Sequence, residues 1–172
     1  MKRLALPTYR YTGHDLRHLH IVLAEDSAAG VIGIAAWEAA AARDCPQGLS
    51  GLLLHGLYVD PEQQRRGTGT RLLAAAAAAA REQGFDGLLV KAQADAEGFF
   101  RAQGLERLAV ADAGRDYPHR FRLDHGTPNR LKDAVKVMDQ HSAKLIKGLH
   151  FASMLHAGVS ERESGFNECC CG

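Results

Sequence analysis

"LYVDPEQQRRGTGTRLL" occupies positions 57–73. Leu57 to Val59 is apolar and reads as the end of a strand. Asp60-Pro61 stops it, because proline cannot donate to a ladder. A polar run with two arginines follows, and then Gly67 and Gly69 bracket Thr68 at the start of an alanine-rich helix. Glycine costs about 1 kcal/mol in a helix interior relative to alanine, so the glycines need another reason to stand there. A helix start carries unpartnered N–H groups and partial positive charge. Glycine lets an anion approach that backbone closely. The stretch from Gln64 to Gly69 therefore reads as a cradle for a pyrophosphate, with Arg65, Arg66 and Arg71 adding charge. It is not a P-loop, because no Gly-Lys-Ser/Thr follows. Its spacing and the acidic residue beyond it do not fit a dinucleotide fingerprint.

Working outward, "HLHIVLAED" (18–26) and "GVIGIAAWEAA" (30–40) read as a hairpin turning at Ser27-Ala28-Ala29-Gly30. "LLLHGLYVD" (52–60) is a third strand, 66–83 a helix ending at Gly84, and "DGLLVKAQ" (86–93) a fourth strand. Asp95 caps a short helix that runs to Gln103. "LERLAVAD" (105–112) and "YPHRFRLD" (117–124) read as a closing hairpin. Strands three and four flank a helix and so are expected to be parallel. The early strands read as antiparallel. The fold class is α+β, a mixed and mostly antiparallel sheet flanked by helices.

Two segments together resemble the GNAT (GCN5-related N-acetyltransferase) superfamily. "LYVDPEQQRRGTGTRLL" is similar to its acetyl-coenzyme A motif, Q/R-x-x-G-x-G/A, whose positions fall on Gln64, Gly67 and Gly69. "AQADAEGFFRAQGLE" (92–106) is similar to its later motif, A-Q-x-x-A-x-x-F-Y-x-x-x-G-F. The resemblance covers about 19–124. It implies acetyl-CoA as co-substrate, with no metal. The coenzyme contacts it implies are Leu57, Tyr58, Val59, Gln64, Arg65, Arg66, Gly67, Thr68, Gly69, Thr70, Gln93, Phe99 and Phe100. Two departures stand out. Phe100 occupies the position where the superfamily often has a tyrosine acting as general acid. The stretch before His18 is too short for the strand and two helices that the superfamily usually places there, so the acceptor wall is expected to be reduced or supplied from elsewhere.

The implied reaction is direct attack of a primary amine on the thioester. The superfamily stabilises the oxyanion with a backbone N–H of its splayed third strand, here Leu57, Tyr58 or Val59. His55 is the preferred general base, because histidine is mostly neutral at pH 7 and accepts a proton. Glu38 is a second candidate. Asp60 reads as a turn former. Tyr58, Tyr117 or water would protonate the leaving thiolate. His14, His18 and His20 lie close together in sequence, but the superfamily chemistry needs no metal. The acceptor, a small molecule or a protein amine, is left open. The alternative function is a non-catalytic acyl-CoA-binding domain serving as a sensor, and a third is a binder of some other phosphate ligand.

The chain has 172 residues, 46% hydrophobic and 24% charged, with a formal net charge of +1. This composition suits a globular protein and gives no global field to recruit nucleic acid. No stretch suits a bilayer span or a signal peptide, so a cytoplasmic location without nucleic-acid or membrane partners is expected. After Thr127-Pro128, apolar residues at Leu131, Val135, Met138, Leu145, Leu149 and Ala152 suggest one amphipathic helix. The expected organisation is a coenzyme-binding unit over 1–126, that helix over 127–158, and a cysteine-containing tail over 159–172. The helix stripe is expected to pair in a homodimer. Cys169, Cys170 and Cys171 read as tail thiols, with capture of a soft metal as the sharper alternative.

Overall fold

A computed structural model describes residues 12–114, 116–125 and the backbone of 144–147. Helix α1 (Gly13–His18) is followed by the strands β1 (His20–Asp26), β2 (Gly30–Ala39) and β3 (Leu52–Val59). Helix α2 (Thr68–Glu82), strand β4 (Gly87–Lys91) and helix α3 (Glu97–Ala102) come next. The strands β5 (Glu106–Arg107), β6 (Arg120–Asp124) and β7 (Lys144–Lys147) complete the described elements. The sheet has the order β5-β6-β4-β3-β2-β1-β7. Only β3 and β4 run parallel; the other neighbours are antiparallel. The expected mixed sheet and its parallel pair are present.

The main core lies on one face of this sheet. Val22, Ala35, Trp37, Leu52, Leu54, Leu88, Phe121 and Leu123 meet Leu72, Leu73 and the buried alanines of α2, with Phe100 of α3. Ala74, Ala76, Ala77 and Ala80 are buried, so the alanine run lets α2 lie close against the sheet. On the opposite face Leu16 of α1 packs against Leu19, Ile21, Leu23 and Ala36.

Four sequence expectations need correction. Asp95 does not cap the short helix: it lies in a 3₁₀ turn, Ala94–Ala96, and α3 starts after Ala96 without a side-chain cap. The strand expected from His18 begins at His20, because Gly13–His18 form α1, started by the reciprocal capping box of Thr12 and Asp15. The closing hairpin is much shorter than expected, with β5 only two residues long. The buried Asp116 carboxylate accepts the N–H groups of Ala111 and Asp112 at 2.9 and 3.1 Å, which turns the chain out of strand geometry. Finally, Lys144–Lys147 form β7 rather than part of a helix, paired with Val22–Glu25 of β1. Residues 21–24 of β1 are buried, so its outer backbone groups need a partner strand. The remainder of the expected helix over 127–158, the dimer stripe on it and the tail over 159–172 lie outside the described residues.

Candidate functional site

The sheet opens where β3 leaves β4. The parallel pairing joins Leu52–Leu54 to Leu88–Val90 and stops there. On its other side β3 stays with β2 to Val59, but the register shifts at His55, between the pairs Ala36↔Gly56 and Trp37↔Leu54. His55 is thus the extra residue of a β-bulge, a device that re-aims side chains and increases twist. Beyond it, Leu57 and Val59 pack against the α2 side of the core. The N–H of Asp60 bonds to the carbonyl of Ile32 at 2.9 Å. Antiparallel pairing alternates, so the backbone groups of Tyr58 face β2 while those of Leu57 and Val59 face the opening. The Val59 carbonyl does accept from Gln64 Nε2 there, at 3.2 Å.

The loop after β3 leads into α2. Asp60 accepts the Glu62 N–H at 2.9 Å and starts a single 3₁₀ turn, Pro61–Gln63, which is the turn-forming role expected of it. Arg65 and Gly67 have φ of 62° and 81°. Gly67 is the N-cap of α2, with no side-chain cap and no acidic residue in the first turn. The first-turn N–H groups therefore face outward uncapped. A Cβ at Gly67 would meet nothing within 4 Å, so open space lies before the helix. Thr68 is 2% exposed, and its hydroxyl is buried without a hydrogen-bond partner. Arg65 and Arg66 are exposed, while Thr70 and Arg71 are half-buried. A Cβ on Gly69 would lie 3.4 Å from the Phe99 ring and 3.7 Å from Val59.

Phe99 thus joins the cradle, whereas Phe100 lies beneath it, 5% exposed, edge-on to Phe99 and stacked on Phe121. Gln93 is exposed at the end of β4, and its carbonyl accepts the Ala96 N–H. Glu97, at the start of α3, accepts a hydrogen bond from His119 and has Arg101 and Arg107 at 3.7 and 3.8 Å. His119 first, then Arg107, holds the Glu97 carboxyl below its ordinary value. This cluster ties α3 to the start of β6. It depends on the pairing of Ala92 with His119, which no local pattern announces.

The opposite face carries the titratable candidates. His55 Nδ1 lies 3.5 Å from Glu38 Oε1, which brings the two candidate bases together. Tyr58 registers with Ile34 on that face and is 39% exposed. Asp15 of α1 lies near enough to feel His55, although Thr12 is what chiefly lowers its pKa. The early histidines do not converge, since His14 stacks on His18 while His20 stacks on Trp37. Among the described residues no group of three or more His, Cys, Asp or Glu could hold a metal ion, and no helix is long and apolar enough to cross a membrane.

Residues 17–107 match the family model described as "Acetyltransferase (GNAT) domain", just over half of the chain. No curated protein matches the sequence. A solved structure of AtaTR bound with AcCoA superposes with a TM-score of 0.52 at 18% identity, covering 77% of this chain and 80% of that one. A GNAT-family acetyltransferase from Staphylococcus aureus Mu50 gives 0.51 at 17% identity, covering 64% and 72%. A GNAT-family protein from Desulfovibrio desulfuricans gives 0.49 at 22%, covering 65% and 72%. At such identities the likeness to the first two speaks for the fold alone.

Proposed function

The chain belongs to the GNAT acetyltransferase family, and from that premise we propose that it transfers acetyl from acetyl-CoA to a primary amine by direct attack. The observation that carries this reading is the opening between β3 and β4 beside the uncapped start of α2, where the Thr68 hydroxyl is buried without a partner. An anion seated there would meet the N–H groups of the first turn and the charge of Arg65 and Arg66. Gly67, Gly69 and Thr70 shape that seat, Gln64 braces its edge through Val59, and Phe99 walls it. Acetyl-CoA supplies the thioester and a thiolate leaving group.

The N–H groups of Leu57 and Val59 face the opening and are the oxyanion donors. The amine arrives from the face that carries His55, Glu38 and Tyr58. Glu38 beside Nδ1 favours the tautomer with its proton there, so Nε2 of His55 accepts the amine proton. The C–N bond forms, the C–S bond breaks, and Tyr58, Tyr117 or water returns a proton to sulfur. The unit over 1–126 binds the coenzyme.

A second reading is a domain that binds acyl-CoA without turnover. It is favoured by Phe100, which is in the core and carries no hydroxyl. Release of free CoA with a panel of primary amines separates the two, with Cys169, Cys170 and Cys171 changed to serine to remove background thiols. The transferase reading expects amine-dependent release. CoA binding without release from any amine would overturn it in favour of the second.

A further inference from the structure

Gly33, in the middle of β2, lies outside every motif that points to the coenzyme. Its φ is not in the left-handed region, so its backbone conformation does not require glycine. Its space does. A Cβ there would lie 3.0 Å from the Tyr58 carbonyl oxygen, 3.0 Å from Leu72 Cδ1 and 3.3 Å from Thr68 Cγ2. Leu72 Cδ1 is the end of a flexible side chain and can turn aside. The other two neighbours are a strand carbonyl and the first residue of α2, and neither moves alone. Tyr58 stands between Leu57 and Val59, the two donors that face the opening. Thr68 begins the helix whose N-terminus forms the cradle, and its methyl rests against Gly33 while its hydroxyl remains unpartnered.

We propose that Gly33 is a positioning residue for acetyl transfer: its missing side chain lets the end of β3 and the first turn of α2 close on β2 together, which sets the spacing between the oxyanion donors and the phosphate cradle. The inference rests on the coenzyme reading above. It differs from the part played by Gly67, where conformation rather than space demands glycine. It also differs from Gly87, whose added Cβ would lie 2.6 Å from the Leu123 carbonyl oxygen, between β4 and β6. Gly87 is therefore a control for tight packing that touches neither the cradle nor the donors.

The test measures CoA affinity by calorimetry, steady-state KM for acetyl-CoA, KM for the amine, and Tm. Gly33→Ala should weaken CoA binding and raise the acetyl-CoA KM about tenfold, as expected for overpacking at a site that must shift. The amine KM should stay unchanged. Gly87→Ala should lower Tm at least as far and leave the acetyl-CoA KM alone. Thr68→Ser, which removes the methyl and keeps the hydroxyl, should restore about threefold of the loss when combined with Gly33→Ala. Unchanged affinity in Gly33→Ala, or an equal loss in Gly87→Ala, overturns the inference while leaving the coenzyme reading intact. Should Gly33→Ala prove insoluble, Gly33→Ala/Thr68→Ser is compared with Thr68→Ser, and equal affinities overturn it. Wild-type protein that binds no CoA overturns both readings.

Discussion

On one face of the sheet, α2 and α3 bury a continuous core, and the cradle grows from the first turn of α2. On the other, the six-residue α1 covers Leu19, Ile21 and Leu23 through Leu16, and His55, Glu38 and Tyr58 stand partly exposed. The first face presents backbone: uncapped N–H groups, a left-handed glycine and a splayed strand. The second offers side chains. A backbone site depends on the fold and suits a ligand part that never varies. A side-chain site can change residue by residue, as suits an acceptor. The splay beyond Leu54 lies between them.

The largest expected effect tests whether the two faces divide the labour. A positioned general base contributes about 10²–10⁴-fold. His55→Gln should therefore lower kcat/KM for the amine about a hundredfold and leave CoA affinity unchanged, as read by steady-state kinetics and calorimetry. Loss of CoA binding in that variant would mean that the bulge at His55 serves the cradle, and the division would fail. Unchanged kcat/KM would remove His55 as the base.

Within the coenzyme face, Gly67 and Gly69 separate conformation from space. An L-residue in the left-handed region costs about 1–2 kcal/mol. A loop that relaxes to avoid this cost gives up the cradle, so Gly67→Ala should weaken CoA binding about tenfold. A Cβ on Gly69 makes ordinary contact with Phe99, and alanine is a better helix former. Gly69→Ala should change CoA affinity less than about twofold and raise Tm. Equal losses in the two variants would show that close approach of the ligand, rather than the turn, demands both glycines.

The same contrast explains what could be read from the sequence. β1 to β4 and α2 carry dense apolar patterns bounded by Gly and Pro, so their bounds lie within about two residues of the pattern. The helix start at Gly67 was legible because a glycine between a polar loop and an apolar helix pattern is a local feature. α1 had a local signal too, in Thr12 and Asp15, but it is one short turn. β5 was overcalled because Asp116, several residues downstream, reaches back to bend the chain. β7 was misread because the apolar rhythm around Leu145 looks helical, while the demand for a strand comes from β1, far away in sequence. Gly33 and the His119–Glu97 pair were invisible for the same reason. Each acquires its role from register: Gly33 opposite Val59, and Ala92 beside His119. The approach of His55 to Glu38 likewise needed the bulge.

The smallest expected effect asks what keeps the coenzyme face rigid. Glu97 anchors α3, and α3 carries Phe99 against Gly69. The folded-state pKa of Glu97 is lowered from 4.5, first by His119 and then by Arg107. A depressed carboxyl pKa stabilises the fold fully above the unfolded value and loses that contribution as pH falls through the folded one. Glu97→Gln should therefore melt a few degrees below wild type at neutral pH. The gap should persist down to about pH 4.5 and close as the pH falls further. Because Phe99 moves with α3, the variant should also bind CoA slightly less tightly at neutral pH, while the amine KM stays unchanged. A melting gap that persists unchanged at acid pH would mean that Glu97 holds α3 by shape rather than by charge. A change in amine KM instead of CoA affinity would place this cluster with the acceptor face and break the comparison.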